Sequence, residues 1–306
     1  MKNKFLSAGL FLTLLMFFGC NSSPSISSNP PEDSTLITGE LMEKSILHNG
    51  EEREYLIYVP SSYNESANYP LLLNFHAFGG NAKNYIEHES DFREIAEQEE
   101  MILIYPQALL LSGFSVWNAA PFAEDNKTSS DDIGFVEILL DDLQETLSID
   151  PNRIYATGFS NGAMFVYALA CFTEGLIAGV AAVSGLQLNF EDCAPSHPMS
   201  VLIAHSTTND VIPYGGSSDV ASVDETVLFW TSVNQTATVA EESNHDLGDK
   251  TVWLYTYSEG TNGAQVLHYK VENGKHEWFD HNLAGQSFKS FVWDFLSLQT
   301  LSGRED

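Results

Sequence analysis

Cysteine and basic residues are scarce in this sequence. The first shortage argues against a structural metal site, and the second argues against binding to nucleic acid. There are 3 cysteines in 306 residues, with no C-x-x-C pair and no paired Cys/His spacing, so we expect no structural zinc site and no bound metal. No G-x-x-x-x-G-K-[ST] phosphate-binding loop occurs, and no cofactor is predicted. The 13 Lys and Arg against 42 Asp and Glu give a formal net charge of −29, which disfavours nucleic acid as a partner.

No apolar run reaches the roughly 20 residues that a membrane-spanning helix needs. The run FLSAGLFLTLLMFFGC follows Lys2 and Lys4 and has the form of a signal peptide. It ends at Gly19-Cys20, which resembles a bacterial lipobox, in which the cysteine is acylated and becomes the new N-terminus. We therefore expect a lipoprotein-type signal peptide over 1–20 and an exported, extracellular or cell-envelope protein, held to a membrane only by a lipid anchor on Cys20. Plain secretion is the alternative.

The segment after Cys20, NSSPSISSNPPEDS, cannot bury a core and predicts a flexible tether over 21–35. We expect one folded domain over 36–302; the sequence does not predict an oligomeric state. In an oxidising compartment the two remaining cysteines, Cys171 and Cys193, are the only available disulfide pair. The alternative is two buried thiols.

Strand-like and helical segments alternate along this domain. Short apolar runs such as YPLLLNF, MILIYP, RIYATG, AGVAAV and SVLIAHS read as strands, and stretches such as DDIGFVEILLDDLQETL have apolar residues at helical spacing. Continuously apolar strands are typical of a sheet that is covered on both faces. The pattern predicts an α/β fold with a mostly parallel central sheet and helices on both faces.

The stretch ATGFSNGAMFVYALACF places a serine, Ser160, where a strand-like run gives way to an apolar helical run. A G-x-S-x-G match alone is weak, but a sharp strand-to-helix turn at the carboxyl edge of such a sheet exposes a serine where ligands bind. Gly158 and Gly162 are expected because side chains there would collide with neighbouring backbone.

A serine nucleophile needs a histidine base and an acid that orients the histidine. In the α/β-hydrolase order of serine, acid and histidine, Asp210 follows the strand VLIAH and His276 follows the strand QVLHYKV. Asp210 is open to a simpler interpretation as a turn residue. His281 competes with His276, which we prefer for its distance from the strand end, whereas His268 lies within a strand and reads as structural.

An oxyanion hole needs two backbone donors. The N–H of Asn161, directly after the nucleophile, is the first candidate. The second is the N–H of Phe78, in the glycine-rich loop HAFGG after the strand LLLNF.

Several motifs together resemble the secreted esterase family that contains poly(3-hydroxybutyrate) depolymerase-like proteins and feruloyl esterases. They are HAFGGNA, YPQA, WNA, DDIGF, IDPNRIYATGFSNGAM, HSTTNDVIPYGG and KHEW. The resemblance implies an α/β-hydrolase fold, a Ser160–Asp210–His276 triad, an oxyanion hole at Phe78 and Asn161, and Trp117 facing the acyl pocket. An aromatic slot that includes Phe114 is expected to bind substrate.

Three features of the sequence depart from the family pattern. Ala77 stands where the family has glycine, the His276 segment reads KHEWFD rather than ending in Pro-Gly, and a second cysteine pair is replaced at Thr236 and Gly260. Two residue roles have structural alternatives. In the first, Trp117 fixes a loop to the core; in the second, Asp131 and Asp132 complement a helix dipole.

The leading hypothesis is a serine esterase, with no cofactor, acting on soluble short-chain or hydroxycinnamoyl (feruloyl-type) esters, including esters on polysaccharide fragments. The alternatives are a poly(3-hydroxybutyrate) or oligomer depolymerase, a serine peptidase, and a non-catalytic glycan-binding surface lipoprotein.

Overall fold

The computed structural model describes residues 37–121, 128–188 and 192–305. The predicted signal peptide and tether, with Cys20, lie outside the described residues. Within the described ranges, no helix has the length and apolar character needed to cross a bilayer.

Ten strands form one sheet whose centre is parallel, as the alternating pattern predicts. Their bounds are β1 Leu41–His48, β2 Glu51–Tyr58, β3 Tyr69–Phe75, β4 Ile102–Pro106, β7 Ile149–Phe159, β8 Gly179–Val183, β9 Ser200–Ser206, β10 Glu241–Asp246, β11 Thr251–Tyr257 and β12 Val266–Glu272. The spatial order is β1-β2-β4-β3-β7-β8-β9-β12-β11-β10. All neighbours from β4 to β12 pair in parallel, while the two strands at each edge pair antiparallel.

The remaining elements are short strand pairs, six α-helices within the described ranges, and one 3-10 turn. The strands are β5 Leu110–Leu111, β6 Phe114–Ser115, β13 Asn282–Leu283, β14 Gln286–Ser287, β15 Gln299–Thr300 and β16 Gly303–Arg304. The helices are α1 Ala82–His88, α2 Arg93–Gln98, α3 Asp132–Thr146, α4 Asn161–Phe172, α5 Val223–Asn234 and α6 Phe288–Ser297, and the 3-10 turn is Thr261–Gly263.

The helices cover both faces of the sheet because alternate strand residues point to opposite sides. On β3, Leu71 and Leu73 join a core with the helices α3, α4 and α5. Leu72, between them, joins a second core with α1, α2 and α6. The central strands are therefore buried on both faces, which is why their sequences are continuously apolar.

Cys171, near the end of α4, is disulfide-bonded to Cys193, as predicted. A link across a sequence separation of 22 residues ties the central helix to the segment before β9. In the chain-entropy model such a link stabilises the fold by about 3 kcal/mol.

Candidate active site

Ser160 sits alone between the end of β7 at Phe159 and the start of α4 at Asn161. Its backbone has φ 56° and ψ −116°, which is a strained conformation for a residue with a side chain. The turn also needs both glycines. A Cβ on Gly158 would lie 2.6 Å from the carbonyl carbon of Gly162, and one on Gly162 would lie 2.2 Å from the carbonyl oxygen of Phe75.

The structure brings His276 to the serine, from the loop that follows β12. The Nε2 atom of His276 lies 2.9 Å from Ser160 Oγ, within hydrogen-bond distance. The imidazole stacks on the ring of Phe159, with centroids 5.0 Å apart. Burial lowers the pKa of His276 below its usual 6.5, while the charge of Asp210 acts in the opposite direction. The imidazole is therefore neutral, and able to accept the serine proton, at near-neutral pH.

Asp210 is exposed in the loop after β9. Its charge reaches His276, but the buried Nδ1 atom of His276 has no hydrogen-bond partner among the described residues. The structure thus assembles the serine and the histidine, with the carboxylate near them but not bonded.

The competing histidines are engaged elsewhere. His281 Nε2 lies 2.6 Å from the hydroxyl of Tyr269. His268 is buried in β12, where its Nε2 lies 3.2 Å from the hydroxyl of Tyr214, in keeping with a structural role.

Phe78 lies in the loop after β3, and Asn161 begins α4 directly after Ser160 at the end of β7. The carboxyl ends of β3 and β7 are adjacent, because Phe75 pairs with Gly158. Gly79 has φ +67° and its N–H donates to the Ser115 carbonyl at 2.8 Å, which ties the Phe78 loop to the β5–β6 hairpin. The Phe78 ring stacks on Phe114 at 5.3 Å.

The chain is similar to known esterases. A family model described as phospholipase/carboxylesterase matches residues 107–252. Feruloyl esterase D of Neurospora crassa is 26% identical over 217 residues, covering 66% of this chain and 69% of that protein. A bifunctional acetylxylan esterase/xylanase of Neocallimastix patriciarum is 26% identical over 254 residues, covering 83% of this chain but 34% of that protein.

Solved structures give the fold. An acetyl xylan esterase from Aspergillus awamori superposes with a TM-score of 0.59 at 13% identity, covering 84% of this chain and 99% of that one. A ferulic acid esterase from Anaeromyces mucronatus gives 0.56 at 16% identity, covering 87% and 94%. The protein is a carboxylic ester hydrolase with the α/β-hydrolase fold. The motif-based resemblance to the esterase family is confirmed.

Trp117 does not face an acyl pocket in this esterase, so that prediction is corrected. The side chain is 1% exposed, its ring stacks on Phe165 of α4 at 5.2 Å and it meets Phe75 edge-on. The plainer alternative, in which Trp117 fixes its loop to the core, is what the structure shows. An indole surrounded by α4 and β3 cannot touch a substrate without leaving the core.

Asp131 and Asp132 have different roles at the start of α3. Asp131 caps the helix by accepting from the Gly134 N–H at 3.1 Å. Asp132 is fully buried and pairs with Arg53 of β2 at 2.6 Å, and it also accepts from the Asn118 N–H at 2.8 Å. A helix-dipole role alone therefore does not account for Asp132.

Three hydroxyl groups that were not predicted from the sequence bind the histidine loop, the segment after β12 that carries His276. Ser184, Ser206 and Thr208 donate to the carbonyls of Glu277, Lys275 and Gly274 at 2.8, 2.5 and 2.6 Å. The donors follow or end β8 and β9, so the loop that carries His276 is fastened to the carboxyl edge of the sheet. The Ser/Thr-rich end of β9, HSTT, directly before the predicted Asp210 loop, was the available signal.

A cavity of about 420 Å³ adjoins His276 and Phe159, between α1 and the histidine loop. Carboxylates line it, among them Glu87, Glu89 and Asp280. Within the described ranges, no group of three or more His, Cys, Asp and Glu side chains is arranged to hold a metal ion.

Proposed function

We propose that this esterase acts through a serine acyl-enzyme, with Ser160 as nucleophile and His276 as general base. The observation that carries the proposal is the 2.9 Å contact between His276 Nε2 and Ser160 Oγ at a strained strand-to-helix turn. A strained backbone at the turn between the carboxyl end of a central strand and the following helix is typical of a catalytic nucleophile. A glycan-binding protein without catalysis would have no need for this pair.

In the proposed reaction His276 takes the proton of Ser160 as Oγ attacks the ester carbonyl. The backbone N–H groups of Phe78 and Asn161 stabilise the oxyanion of the tetrahedral intermediate. The histidine then returns the proton to the departing alcohol, and the acyl group stays on Oγ. Water, deprotonated by the same imidazole, attacks the acyl-enzyme and releases the acid. We assign Asp210 to orienting the imidazole once its loop reaches Nδ1.

We propose soluble short-chain and hydroxycinnamoyl esters, including esters on polysaccharide fragments, as substrates. Phe78 and Phe114 form a stacked aromatic pair that is 56% and 55% exposed beside the oxyanion loop, which suits a planar acyl group. The carboxylate-lined cavity beside His276 suits a neutral, hydroxyl-rich alcohol, because carboxylates accept hydrogen bonds from hydroxyls and repel anions.

We also propose export with a lipid anchor on Cys20, on the signal-peptide pattern alone. Membrane partitioning that Cys20→Ser abolishes supports the anchor, and partitioning unchanged by that substitution contradicts it.

A hydrolysis screen tests the substrate class. Aryl acetate and butyrate, methyl ferulate, acetylated xylan and hydroxybutyrate oligomers are compared for wild type, Ser160→Ala and Phe114→Ala. We expect Ser160→Ala to lose at least about 10³-fold in kcat on every ester. We expect Phe114→Ala to raise KM for methyl ferulate more than for the acetates.

Full activity of Ser160→Ala would contradict the serine mechanism. Turnover of hydroxybutyrate oligomers far above every other ester would favour the depolymerase alternative.

A further inference from the structure

The two proposed oxyanion donors, the N–H groups of Phe78 and Asn161, come from different parts of the chain. A contact between those parts is needed to fix the distance between the two donors. Phe78 follows β3 and Asn161 follows β7, and the pairing of these strands ends at Phe75 with Gly158. Beyond that pair the two backbones diverge into a loop and a helix. Catalytic groups need to be held within about 0.5 Å of their productive positions, so a contact outside the sheet is required.

Trp117 makes contacts with both sides. Its backbone N–H donates to the Asn161 side-chain oxygen at 2.8 Å, and its carbonyl accepts from the Asn161 side-chain nitrogen at 3.1 Å. Its indole N–H donates to the carbonyl of His76, two residues before Phe78, at 3.0 Å. Trp117 therefore makes two hydrogen bonds to the Asn161 side chain and one to the start of the loop that carries Phe78.

Trp117 is itself held in place. Its ring is packed between Phe165 and Phe75. The next residue, Asn118, donates its N–H to Asp132, whose carboxylate is neutralised by buried Arg53. A buried ion pair of this kind is costly to break because one partner would be left charged and alone, so the loop is fixed to α3 and β2.

We propose that Trp117 and the side chain of Asn161 form a clamp that fixes the two halves of the oxyanion hole relative to each other. Both are positioning residues: the indole touches no substrate, and both polar atoms of the Asn161 side chain are committed to Trp117. The proposal rests on the serine mechanism above. It gives the asparagine after the nucleophile a role beyond its backbone N–H.

Trp117→Phe and Asn161→Asp test the clamp. The first keeps an aromatic ring in the core and removes the N–H that binds His76. The second keeps the acceptor for the Trp117 N–H but sets a carboxylate oxygen against the Trp117 carbonyl. Removing an oxyanion donor costs about 10²–10³ in kcat, so we expect misplacement to lower kcat about tenfold to hundredfold, with KM within about twofold.

A trifluoromethyl ketone, whose adduct with the serine carries the oxyanion, gives the deciding readout. We expect its inhibition constant to rise by the same factor as kcat/KM falls. In Trp117→Phe the pH midpoint of kcat/KM should stay in place, because the Ser160–His276 contact is untouched and no charge is added. Trp230→Phe is the matched control, since it also deletes a buried indole donor, to Gln187 at 2.9 Å. We expect wild-type inhibition for this control.

Folded clamp variants with unchanged inhibition constants, or losses equal to those of Trp230→Phe, would overturn the clamp. If Trp117→Phe does not fold, Asn161→Leu decides alone, because it removes both side-chain bonds to Trp117 without adding a charge beside the oxyanion. Failure of the serine mechanism looks different, because Ser160→Ala would then remain active whatever the clamp variants do.

Discussion

At Ser160, the hydrogen bond to His276 is formed while Asp210 is exposed and not bonded to the imidazole. In the proposed mechanism, activity therefore depends on whether the His276 imidazole is neutral or protonated. Burial favours the neutral form of His276, and the nearby carboxylate favours the charged form. These opposing effects give a measurable signature for each residue.

We expect kcat/KM to rise with pH through a midpoint below 6.5, because the pKa of His276 is lowered by burial and only the neutral imidazole accepts the serine proton. Asp210→Asn should lower kcat by about 10³–10⁴-fold. It should also move the midpoint to lower pH, because the charge that raises this pKa is gone. Initial rates between pH 4.5 and 8 on a soluble aryl acetate would check both.

His281→Ala is the control for these profiles, since His281 is bonded to Tyr269 rather than to the serine. We expect it to keep the wild-type midpoint. An inactive His281→Ala beside an active His276→Ala would reverse the assignment.

Elements with strong apolar signals could be predicted from the sequence, and those without could not. The runs at β3, β4 and β7 through β9 carry continuous apolar residues, so the parallel centre and the covering helices followed. β10, with the sequence EESNHD, is almost wholly exposed and pairs with β11 at the edge of the sheet. No periodicity marks such a strand, and the seven-residue α1 is too short for one.

Within the site, spacing along the chain predicted that Ser160 meets His276, but it did not predict that Asp210 stays unbonded or what surrounds these residues. Ser160 and His276 each follow a strand of the same edge, so their meeting could be inferred. The burial of Trp117 could not, because it depends on how closely α4 approaches β3. The sequence alone does not distinguish a loop tryptophan that lines a pocket from one that packs into the core.

The close approach of α4 to β3 makes Gly162 an exacting position in the fold. A Cβ there would lie 2.2 Å from the Phe75 carbonyl oxygen and 2.6 Å from that of His76. We expect Gly162→Ala to lower the free energy of unfolding by about 3 kcal/mol or more, because backbone rather than a side chain must move. The loop that carries Phe78, a proposed oxyanion donor, begins at His76, so activity should be lost even in the folded fraction.

Urea denaturation and kcat on the folded protein would measure both effects. Gly215→Ala is the control: its Cβ would meet nothing within 4 Å, so its unfolding midpoint should match or slightly exceed wild type. A Gly162→Ala protein as stable as wild type would show that α4 and β3 are farther apart than described.

Over the whole molecule, three histidines are buried in neutral form. Burial lowers the pKa of His76 to about 4, of His205 to about 4 and of His268 to about 3. In the unfolded chain each titrates near 6.5. Because the folded pKa lies below the unfolded one, the stability that each contributes is present above pH 6.5 and is lost as the pH falls toward 4.

We therefore expect the free energy of unfolding to fall from pH 7 to pH 5, by on the order of 1–2 kcal/mol for each histidine. The net charge of −29 opposes this trend only weakly there, since carboxylates relieve their mutual repulsion mainly near pH 4. Urea titrations at pH 7, 6 and 5 measure the slope, and His268→Gln should reduce it by about a third, as one of three equivalent sites. A stability that is flat or rising toward pH 5 would contradict the lowered pKa values of the three buried histidines.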